Sequence, residues 1–270
     1  MLQLFYITKR PEIARIAEDA GVDRIFVDME YIGKELRQPK MDTVKNRHTV
    51  EDVRNLRSVL QKAKLLVRVN PIGDYSEQEI NEVVAAGADY IMLPMWKTAE
   101  DVRRFLHYVG GRAKTMLLLE TDEARYALDE VLTLDGIDEI HIGLNDLYLS
   151  QHKHMMFELL VDGTVDELVS KIKKTDIPFG IGGVGAVGIE LAVPAEYVLT
   201  EHYRLGSSMA ILARAFCNTD IITDLNEVKD TFISGVRANR EYEAFLAAQD
   251  AEYFNVKHEE LKKLIEGLIK

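Results

Sequence analysis

Five charged side chains that could do chemistry stand at or near the ends of short apolar runs. They are Asp28, Glu30, Arg68, Glu120 and Asp146. Carboxylate oxygens suit a hard divalent cation such as Mg²⁺, which keeps several waters and takes one or two carboxylates from the protein. An arginine beside them would bind an anionic group through its planar fork. These residue types therefore predict a cation-assisted site for an anionic ligand, provided that the fold brings them together.

The apolar runs that precede these side chains are typical of buried parallel strands. Each run is followed by an amphipathic segment of helical period. The predicted strands are Gln3–Ile7, Arg24–Glu30, Lys64–Asn70, Tyr90–Leu93, Lys114–Glu120, Glu139–Gly143, a seventh strand that begins within Ile177–Ile181, and Ser208–Leu212. Eight strand–helix units at regular spacing predict an α/β fold, a (β/α)8 TIM barrel, with a doubly wound sheet as the competing architecture.

A barrel would gather the charged side chains, because the carboxyl ends of its strands meet at one face, where such enzymes carry their chemistry. Asp28 and Glu30 are spaced to face the same side of their strand. Taken alone, Glu120 could equally cap the helix that follows it. The recurrence of the same pattern along the chain favours a shared site.

The segment after residue 219 has a different pattern, with long helices predicted over Asp224–Gln249 and Val256–Ile269. We therefore predict a barrel domain over residues 1–219 and a helical extension over residues 220–270. The extension is expected to pack on the barrel or, as we favour, on a neighbouring subunit of a homo-oligomer.

Composition narrows the class of protein. The 270 residues are 47% hydrophobic and 29% charged, as in ordinary globular domains. A net charge of −12 argues against nucleic acid or an anionic membrane as the main partner. No apolar run approaches the ~20 residues of a membrane span, and the first residues do not resemble a signal peptide. With a single cysteine, Cys217, these features predict a cytoplasmic protein.

Five short motifs follow one another in a recognisable order between Phe26 and Phe216. They are Val27-Asp28-Met-Glu30, Leu66-Val-Arg68-Val-Asn70, Ala86-Gly-Ala-Asp-Tyr-Ile-Met-Leu-Pro94-Met, Leu119-Glu120-Thr121 and Ile142-Gly-Leu-Asn-Asp146-Leu. Together they resemble the 2-keto acid aldolase and citrate lyase beta-subunit family, within the phosphoenolpyruvate/pyruvate barrel superfamily. Each motif is weak on its own, and their order and spacing make the resemblance specific.

The resemblance implies a divalent cation, Mg²⁺, Mn²⁺ or another, held by Glu120 and Asp146. It also implies a small 2-keto acid substrate, such as pyruvate or oxaloacetate, whose enolate is stabilised by Arg68. Glu30 would orient Arg68 or hold a water. Two further residues of the motifs, Asn70 and Pro94, are expected to contact the substrate.

The chain departs from the family pattern at the groups that move protons. Bacterial aldolases of this family carry a histidine directly after the glutamate of the second strand, where this chain has Tyr31. That histidine pairs with an aspartate, and this chain has Ala85-Ala86 at the corresponding place. A glutamine of those aldolases is replaced by leucine in Leu118-Leu119-Glu120. The resemblance thus implies that the part of the site that binds the cation and stabilises the enolate is intact. It leaves the identity of the catalytic base open.

His48 and Tyr31 are the candidates for a replacement acid or base, although a lone histidine is more often structural and an ordinary phenol titrates near ~10. Lys45 and Arg47, in the long segment after the second strand, could bind a second carboxylate or phosphate or could simply be solvated.

The segment Gly180–Gly185 matches a dinucleotide-binding fingerprint, but the barrel already accounts for the strands around it. We expect Gly182 and Gly183 to let backbone amides approach the ligand after the seventh strand, with a simple tight turn as the alternative.

These features predict a metal-dependent carbon–carbon lyase or aldolase that acts on a 2-keto acid. Two alternatives stay open. One is a citryl-CoA-like lyase that applies the same chemistry to a thioester, although no basic patch clearly suited to CoA stands out. The other is a barrel that binds a keto acid without turning it over, which the missing base dyad would explain.

Overall fold

The structure, a computed structural model, describes residues 1–33 and 48–270 of the chain. Two residues with a predicted substrate-binding role, Lys45 and Arg47, lie outside these described residues. The roles predicted for them therefore stay predictions.

The described residues form a closed barrel of eight parallel strands, in the order of the sequence. The strands are β1 (Gln3–Ile7), β2 (Arg24–Asp28), β3 (Lys64–Arg68), β4 (Tyr90–Leu93), β5 (Lys114–Leu119), β6 (Glu139–Ile142), β7 (Phe179–Val184) and β8 (Met209–Leu212). β1 pairs with β8, which closes the barrel. The predicted (β/α)8 barrel is confirmed.

Helices surround the barrel and connect successive strands. They are α1 (Pro11–Asp19), α2 (Val50–Val59), α3 (Ser76–Ala85), α4 (Ala99–Val109), α5 (Asp122–Val131), α6 (Leu144–Ser150), α7 (Thr164–Ile172), α8 (Ala195–Leu205), α9 (Leu225–Leu246) and α10 (Ala251–Leu268), with a 3-10 turn at Met156–Leu160. α2 and α4 begin at capping boxes, in which Thr49 pairs with Asp52 and Thr98 with Asp101. These pairs satisfy backbone N–H groups that lack helical partners, and so fix where the helices begin.

Two apolar layers hold the barrel together. One lies between the strands and the surrounding helices. The other fills the barrel interior with Phe5, Phe26, Leu66, Met92, Met116, Leu118 and Met209. Below this inner layer, Arg24 binds Glu139 through both of its terminal nitrogens and stacks on the rings of Phe5 and Tyr90. The barrel interior is therefore filled at its amino-terminal end.

The seventh strand begins within the predicted segment and extends beyond it. The segment Ile177–Ile181 was expected to begin this strand, and Gly182 and Gly183 were expected in the loop that follows it. In the structure both glycines belong to β7. The pairing with β8 shifts between Gly180 and Gly183, so β7 carries a bulge there, and Gly182 has a φ of 48°. A bulge needs one residue in an unusual conformation, which glycine adopts without a steric cost.

The last two helices pack on the same chain. α9 lies against α1 and α8, which places it in the ring of helices, and α10 lies against α8. On α9, Asn239 binds the backbone at Gly185 and Val187, while Arg240 donates to the carbonyl of Leu2. The boundary at residue 219 and a contact between this region and a neighbouring subunit both stay predictions. Among the described residues, no helix is long and apolar enough to cross a membrane.

Candidate active site

A cavity of about 400 Å³ opens at the carboxyl ends of the strands. Six of the residues with a predicted site role line it, namely His48, Arg68, Glu120, Asp146, Gly182 and Gly183. They come from different strands and their following loops, as expected for a site built at this face of a barrel. Four of the five charged side chains that the sequence placed at or near strand ends therefore share one cavity, namely Asp28, Arg68, Glu120 and Asp146.

Arg68 is clamped by two carboxylates from β2 and the residues just after it. Its Nε and Nη2 donate to the two carboxylate oxygens of Asp28, each at 2.8 Å. Its Nη1 lies 3.3 Å from Glu30 Oε2. Burial alone would lower the pKa of Arg68, but the charges of Asp28 and Glu30 raise it well above its ordinary value. The guanidinium is thus a fixed, permanently charged group at the cavity wall.

Glu120 is buried at the end of β5, and its Oε1 accepts a 3.0 Å hydrogen bond from the N–H of Met95. Burial and then the charge of Asp146 raise the pKa of Glu120 well above its ordinary value. Met95 has a φ of 53°, a conformation that costs a residue with a side chain roughly 1–2 kcal/mol. The backbone after β4 is therefore held in a strained conformation that points an amide at Glu120.

Asp146 lies in the first turn of α6, close to the end of β5. Gly143, directly before α6, packs closely against Glu120, because a Cβ at that position would lie 3.0 Å from Glu120 Cβ and 3.2 Å from its Oε2. The charges of Asp146 and Glu30 also act on Glu120, so these three carboxylates lie near one another in this region.

The donor set fits a hard divalent cation with two protein ligands. Among the described residues, no group of three or more His, Cys, Asp or Glu side chains could hold a metal ion. A pair of carboxylates is enough for Mg²⁺, which keeps waters or substrate oxygens in its other positions. Glu120 and Asp146 are the residues that could hold it.

His48 is buried against β2, where its Nδ1 accepts a 3.0 Å hydrogen bond from the backbone N–H of Asp28. An imidazole that accepts at Nδ1 carries its proton on Nε2 when it is neutral. In this state His48 offers a donor, so the geometry favours a hydrogen-bond donor or an acid over a base.

Four described residues with predicted roles, Glu30, Tyr31, Asn70 and Pro94, do not belong to the lining of the cavity. The side chain of Tyr31 is 63% exposed. Asn70 is buried, and its Oδ1 accepts from the backbone N–H groups of Tyr31 and Ile32. Pro94 ends β4 directly before Met95. The structure thus gives Asn70 a part in shaping the backbone after β2, and the catalytic and substrate contacts predicted for these residues stay predictions.

The glycines of β7 form one wall of the cavity, and a buried histidine supports them. The Nε2 of His141, on β6, is hydrogen-bonded to the carbonyl oxygen of Gly182 at 3.0 Å. That carbonyl lies in the bulge, where the regular strand pairing is interrupted. Burial lowers the pKa of His141 to about 4, so the ring is neutral and donates through Nε2. His141 therefore fixes the shape of the glycine wall.

The sequence interpretation did not predict several features of the cavity. Asp28 was predicted to be an acidic residue at the end of a strand, but its two hydrogen bonds with Arg68 were not predicted. His141 stands inside an apolar run and gave no signal of its own. Lys9, Arg10 and Arg214 also line the cavity. These three cations come shortly after β1 and β8 in the sequence. Their place in the cavity could have been predicted from this position, because every loop at this face borders the same opening.

The eight-stranded barrel, with carboxylates and a clamped arginine at the carboxyl ends of its strands, has the architecture of the TIM-barrel class of enzymes. The comparison with known sequences identifies the family. The profile of the HpcH/HpaI aldolase/citrate lyase family matches residues 2–159, more than half of the chain. The chain belongs to this family, as the motifs predicted.

Individual relatives agree with this assignment. A hydroxypyruvate/pyruvate aldolase of Roseobacter denitrificans (strain ATCC 33942 / OCh 114) is 26% identical over 204 residues, which span 61% of this chain and 72% of that protein. The HpcH/HpaI aldolase from Desulfitobacterium hafniense DCB-2 superposes with a TM-score of 0.64 at 16% identity, covering 85% of this chain and 93% of that one. The citrate synthase SbnG superposes with a TM-score of 0.60 at 16% identity, covering 85% and 94%. At these identities the two structures show a shared fold.

Proposed function

We propose that this member of the aldolase/citrate lyase family is a divalent-metal-dependent carbon–carbon lyase or aldolase that acts on a 2-keto acid of the pyruvate or oxaloacetate type. The observation that carries the proposal is the shared cavity of Arg68, Glu120 and Asp146. The similarity to an aldolase of hydroxypyruvate and pyruvate supports the same substrate class.

The cation required by this proposal is Mg²⁺ or Mn²⁺. Held by Glu120 and Asp146, it would supply Lewis-acid polarisation of the keto group when bound. The chain contributes the carboxylate pair, already placed at one cavity wall by the amide of Met95 and the close approach of Gly143. The burial of Glu120 excludes water from one side of the pair.

Arg68 is the group that stabilises developing charge. When a bond next to the keto carbon breaks, the electron pair moves into the keto acid as an enolate, and its oxygen becomes negative. A guanidinium fixed beforehand by Asp28 and Glu30 needs no reorganisation at that moment, and such preorganised charge is the main source of catalysis in sites of this kind.

The cleavage of a 4-hydroxy-2-keto acid balances as follows. The C4 hydroxyl loses its proton, the C3–C4 bond breaks, and C4 leaves as an aldehyde. The bond pair forms the enolate of pyruvate, which then takes a proton at C3. The addition of an aldehyde runs through the same steps in reverse.

His48 would serve this reaction through Nε2–H, because its Nδ1 is occupied by the amide of Asp28. A neutral imidazole donor can stabilise the oxygen of the leaving or attacking group. Tyr31, with its exposed side chain, is the other candidate for proton transfer.

The test is the exchange of pyruvate methyl protons for deuterium in D₂O, followed by NMR with Mg²⁺ and with an EDTA control. Metal-dependent exchange is expected from the wild type, and loss of exchange is expected from Glu120→Gln. The matched control is Glu123→Gln, on the exposed face of α5, which should retain exchange. Pyruvate binding without any exchange in the wild type would contradict the enolate chemistry and favour a keto-acid-binding barrel.

A further inference from the structure

A pair of hydrogen-bonded side chains, Asn70 and Glu79, connects α3 to the residues that follow β2 and β3. Asn70 is buried two residues beyond the end of β3, and Glu79 lies near the start of α3. The backbone N–H of Asn70 donates to Glu79 Oε2 at 3.1 Å, and its side-chain Nδ2 donates to Glu79 Oε1 at 2.6 Å. The carboxylate of Glu79 therefore fixes both the place and the orientation of the Asn70 amide.

The oxygen of the same amide binds the backbone after β2. Asn70 Oδ1 accepts hydrogen bonds from the N–H groups of Tyr31 and Ile32, at 3.0 and 3.1 Å. These two N–H groups directly follow Glu30. On the other side of Glu30, the N–H of Met29 donates to the carbonyl of Arg68 at 2.9 Å. The backbone of Glu30 is thus held on both sides by bonds to the end of β3 or to Asn70.

Glu30 depends on this support more than Asp28 does. Asp28 belongs to β2, and its pairing with Arg68 in the sheet places the two side by side. Glu30 lies two residues beyond the end of β2. Its buried carboxylate nevertheless has to meet Arg68, whose Nη1 lies 3.3 Å from Glu30 Oε2. The bonds from Tyr31 and Ile32 to Asn70 hold the chain where this contact forms.

We propose that Asn70 is a positioning residue of the site, oriented for this role by Glu79. Through the amides of Tyr31 and Ile32 it holds Glu30 against Arg68, and so keeps the guanidinium in the orientation that stabilises the enolate. Asn70 acts without touching the substrate, in contrast to the direct contact that the family resemblance implies. The effect on the enolate rests on the proposed function, whereas the placement of Glu30 does not depend on it.

The donors and acceptors of the pair can be exchanged while its shape and charge are kept. In Asn70→Asp, two carboxylates face each other, and they can bond only by sharing a proton. In Glu79→Gln, an NH₂ group faces an N–H donor in either orientation of the new amide. In the double variant, the new amide donates to the new carboxylate and accepts from the backbone N–H of residue 70. The second carboxylate oxygen remains for the amides of Tyr31 and Ile32. Only the double variant therefore restores every bond.

The first measurement is the rate of pyruvate deuterium exchange with Mg²⁺. Each single variant is expected to lower the maximal rate by about 10–10²-fold, as a small misplacement of a catalytic group does, with a smaller change in KM. The double variant is expected to recover most of the lost rate. If Asn70 bound the substrate directly, the double variant would stay as slow as Asn70→Asp, and the inference would be overturned.

The matched control is the double variant Glu77→Gln/Asn81→Asp, at exposed positions of α3. It makes the same exchange of carboxylate and amide at the same net charge, outside the pair, and should keep the wild-type rate. Melting temperatures of all variants check that the chain stays folded.

Asn70→Asp should also change the dependence of the rate on pH. Burial raises the pKa of Glu79 above its ordinary value, and a second carboxylate beside it raises this pKa further. As the pH falls, the two carboxylates take up a shared proton and their bond returns, so the rate of Asn70→Asp relative to the wild type should rise. Glu82 and Tyr75, the other titratable groups coupled to Glu79, are the same in both proteins. A ratio that stays constant with pH would contradict the pairing.

A measurement on Arg68 separates this inference from the proposed function. The Nε–H of Arg68 donates to Asp28, and its NMR signal is assigned by its absence in Arg68→Lys. Solvent exchange of this proton is expected to be faster in each single variant and to return towards the wild-type rate in the double variant. This pattern without pyruvate exchange in the wild type would contradict the lyase chemistry and retain the positioning role. Wild-type behaviour of this proton in both single variants would overturn the positioning role.

Discussion

Asp28 binds Arg68 through two parallel hydrogen bonds of 2.8 Å, one to each of its carboxylate oxygens. This arrangement leaves the guanidinium little freedom to rotate, and Glu30 holds its remaining nitrogen. A lysine at the same place would carry the charge but could not form the two parallel bonds.

Replacement of Arg68 by lysine is therefore expected to lower the rate of pyruvate deuterium exchange by about 10²–10³-fold, the usual effect of losing a preorganised charge. Steady-state exchange rates measure this. Arg54→Lys serves as the control, since Arg54 forms an exposed ion pair with Glu51. An Arg68→Lys variant with the wild-type rate would mean that the fork geometry does not matter.

Glu120→Gln and Asp146→Asn are expected to abolish metal-dependent pyruvate binding without unfolding the chain, because each removes one negative charge from the proposed cation site. Titration calorimetry with pyruvate and Mg²⁺ is the measurement. Asp135→Asn, at an exposed position, provides the control for Asp146. Wild-type heats in the two site variants would refute the assignment of the ligands.

His48→Ala is expected to lower turnover by about 10²-fold and to leave metal binding unchanged. This factor is the lower end of the usual effect of losing a positioned proton donor. His48→Gln should recover part of the loss, because an amide can also donate a hydrogen bond. Exchange rates and Mg²⁺ titrations are measured for both variants. Normal turnover in His48→Ala would return the proton-transfer role to Tyr31 or to water.

Met95 offers a test of backbone strain. Since its φ is 53°, Met95→Gly is expected to be more stable than Met95→Ala by about 1 kcal/mol. The pair Asn81→Gly and Asn81→Ala, inside α3, should show the opposite order, because glycine destabilises a regular helix. Chemical denaturation gives the four free energies of unfolding. If the alanine variant were the more stable of the pair at both positions, relief of backbone strain at Met95 would be excluded.

Two buried histidines make stability depend on pH. Burial lowers the pKa of His141 to about 4 and that of His202 to about 3, from an ordinary 6.5. Below pH 6.5 the two histidines are protonated in the unfolded chain but stay neutral in the folded chain. The folded state therefore keeps its full stability above pH 6.5 and becomes less stable, relative to the unfolded state, as the pH falls towards 4. Each histidine should lower the free energy of unfolding by about 2 kcal/mol at pH 5 relative to pH 8.

His202→Leu should remove one of these contributions, and so reduce the difference in stability between pH 8 and pH 5. The hydroxyl of Ser207, which bonds to His202, keeps other partners at the carbonyls of Phe179 and Met209. His107→Gln, at an exposed position of α4, is expected to keep the wild-type difference. An unchanged difference in His202→Leu would show that this ring does not drive the pH dependence.

The strands could be predicted because burial on both faces of a parallel sheet demands continuous apolar runs, as in the segment that ends at Glu120. The end of the seventh strand was not predicted, because a run of glycines is typical of a loop, and only the pairing with β8 reveals the bulge at Gly182. The short helix α6, which carries Asp146, was missed because seven residues give too few turns for a clear period.

The site was predictable where a side chain sits at the end of a strand, since the barrel then determines its neighbours. This applies to Arg68 and Glu120. It does not apply to Tyr31, which lies three residues beyond Asp28, the last residue of β2. At this position the side chains no longer alternate between the two faces of a strand. The support that His141 gives to Gly182 depends on a contact between two strands, which one apolar run cannot predict.

The contacts of Asn239 also constrain how the molecule is completed during synthesis. Its side chain binds the carbonyl of Gly185 and the amide of Val187, directly after the glycine wall. The nascent chain cannot make these bonds before residue 239 has left the ribosome, long after Glu120 and Asp146 have done so. The catalytic face therefore takes its final form late, and a chain cut short before α9 would hold the proposed ligands of the cation without a finished pocket around them.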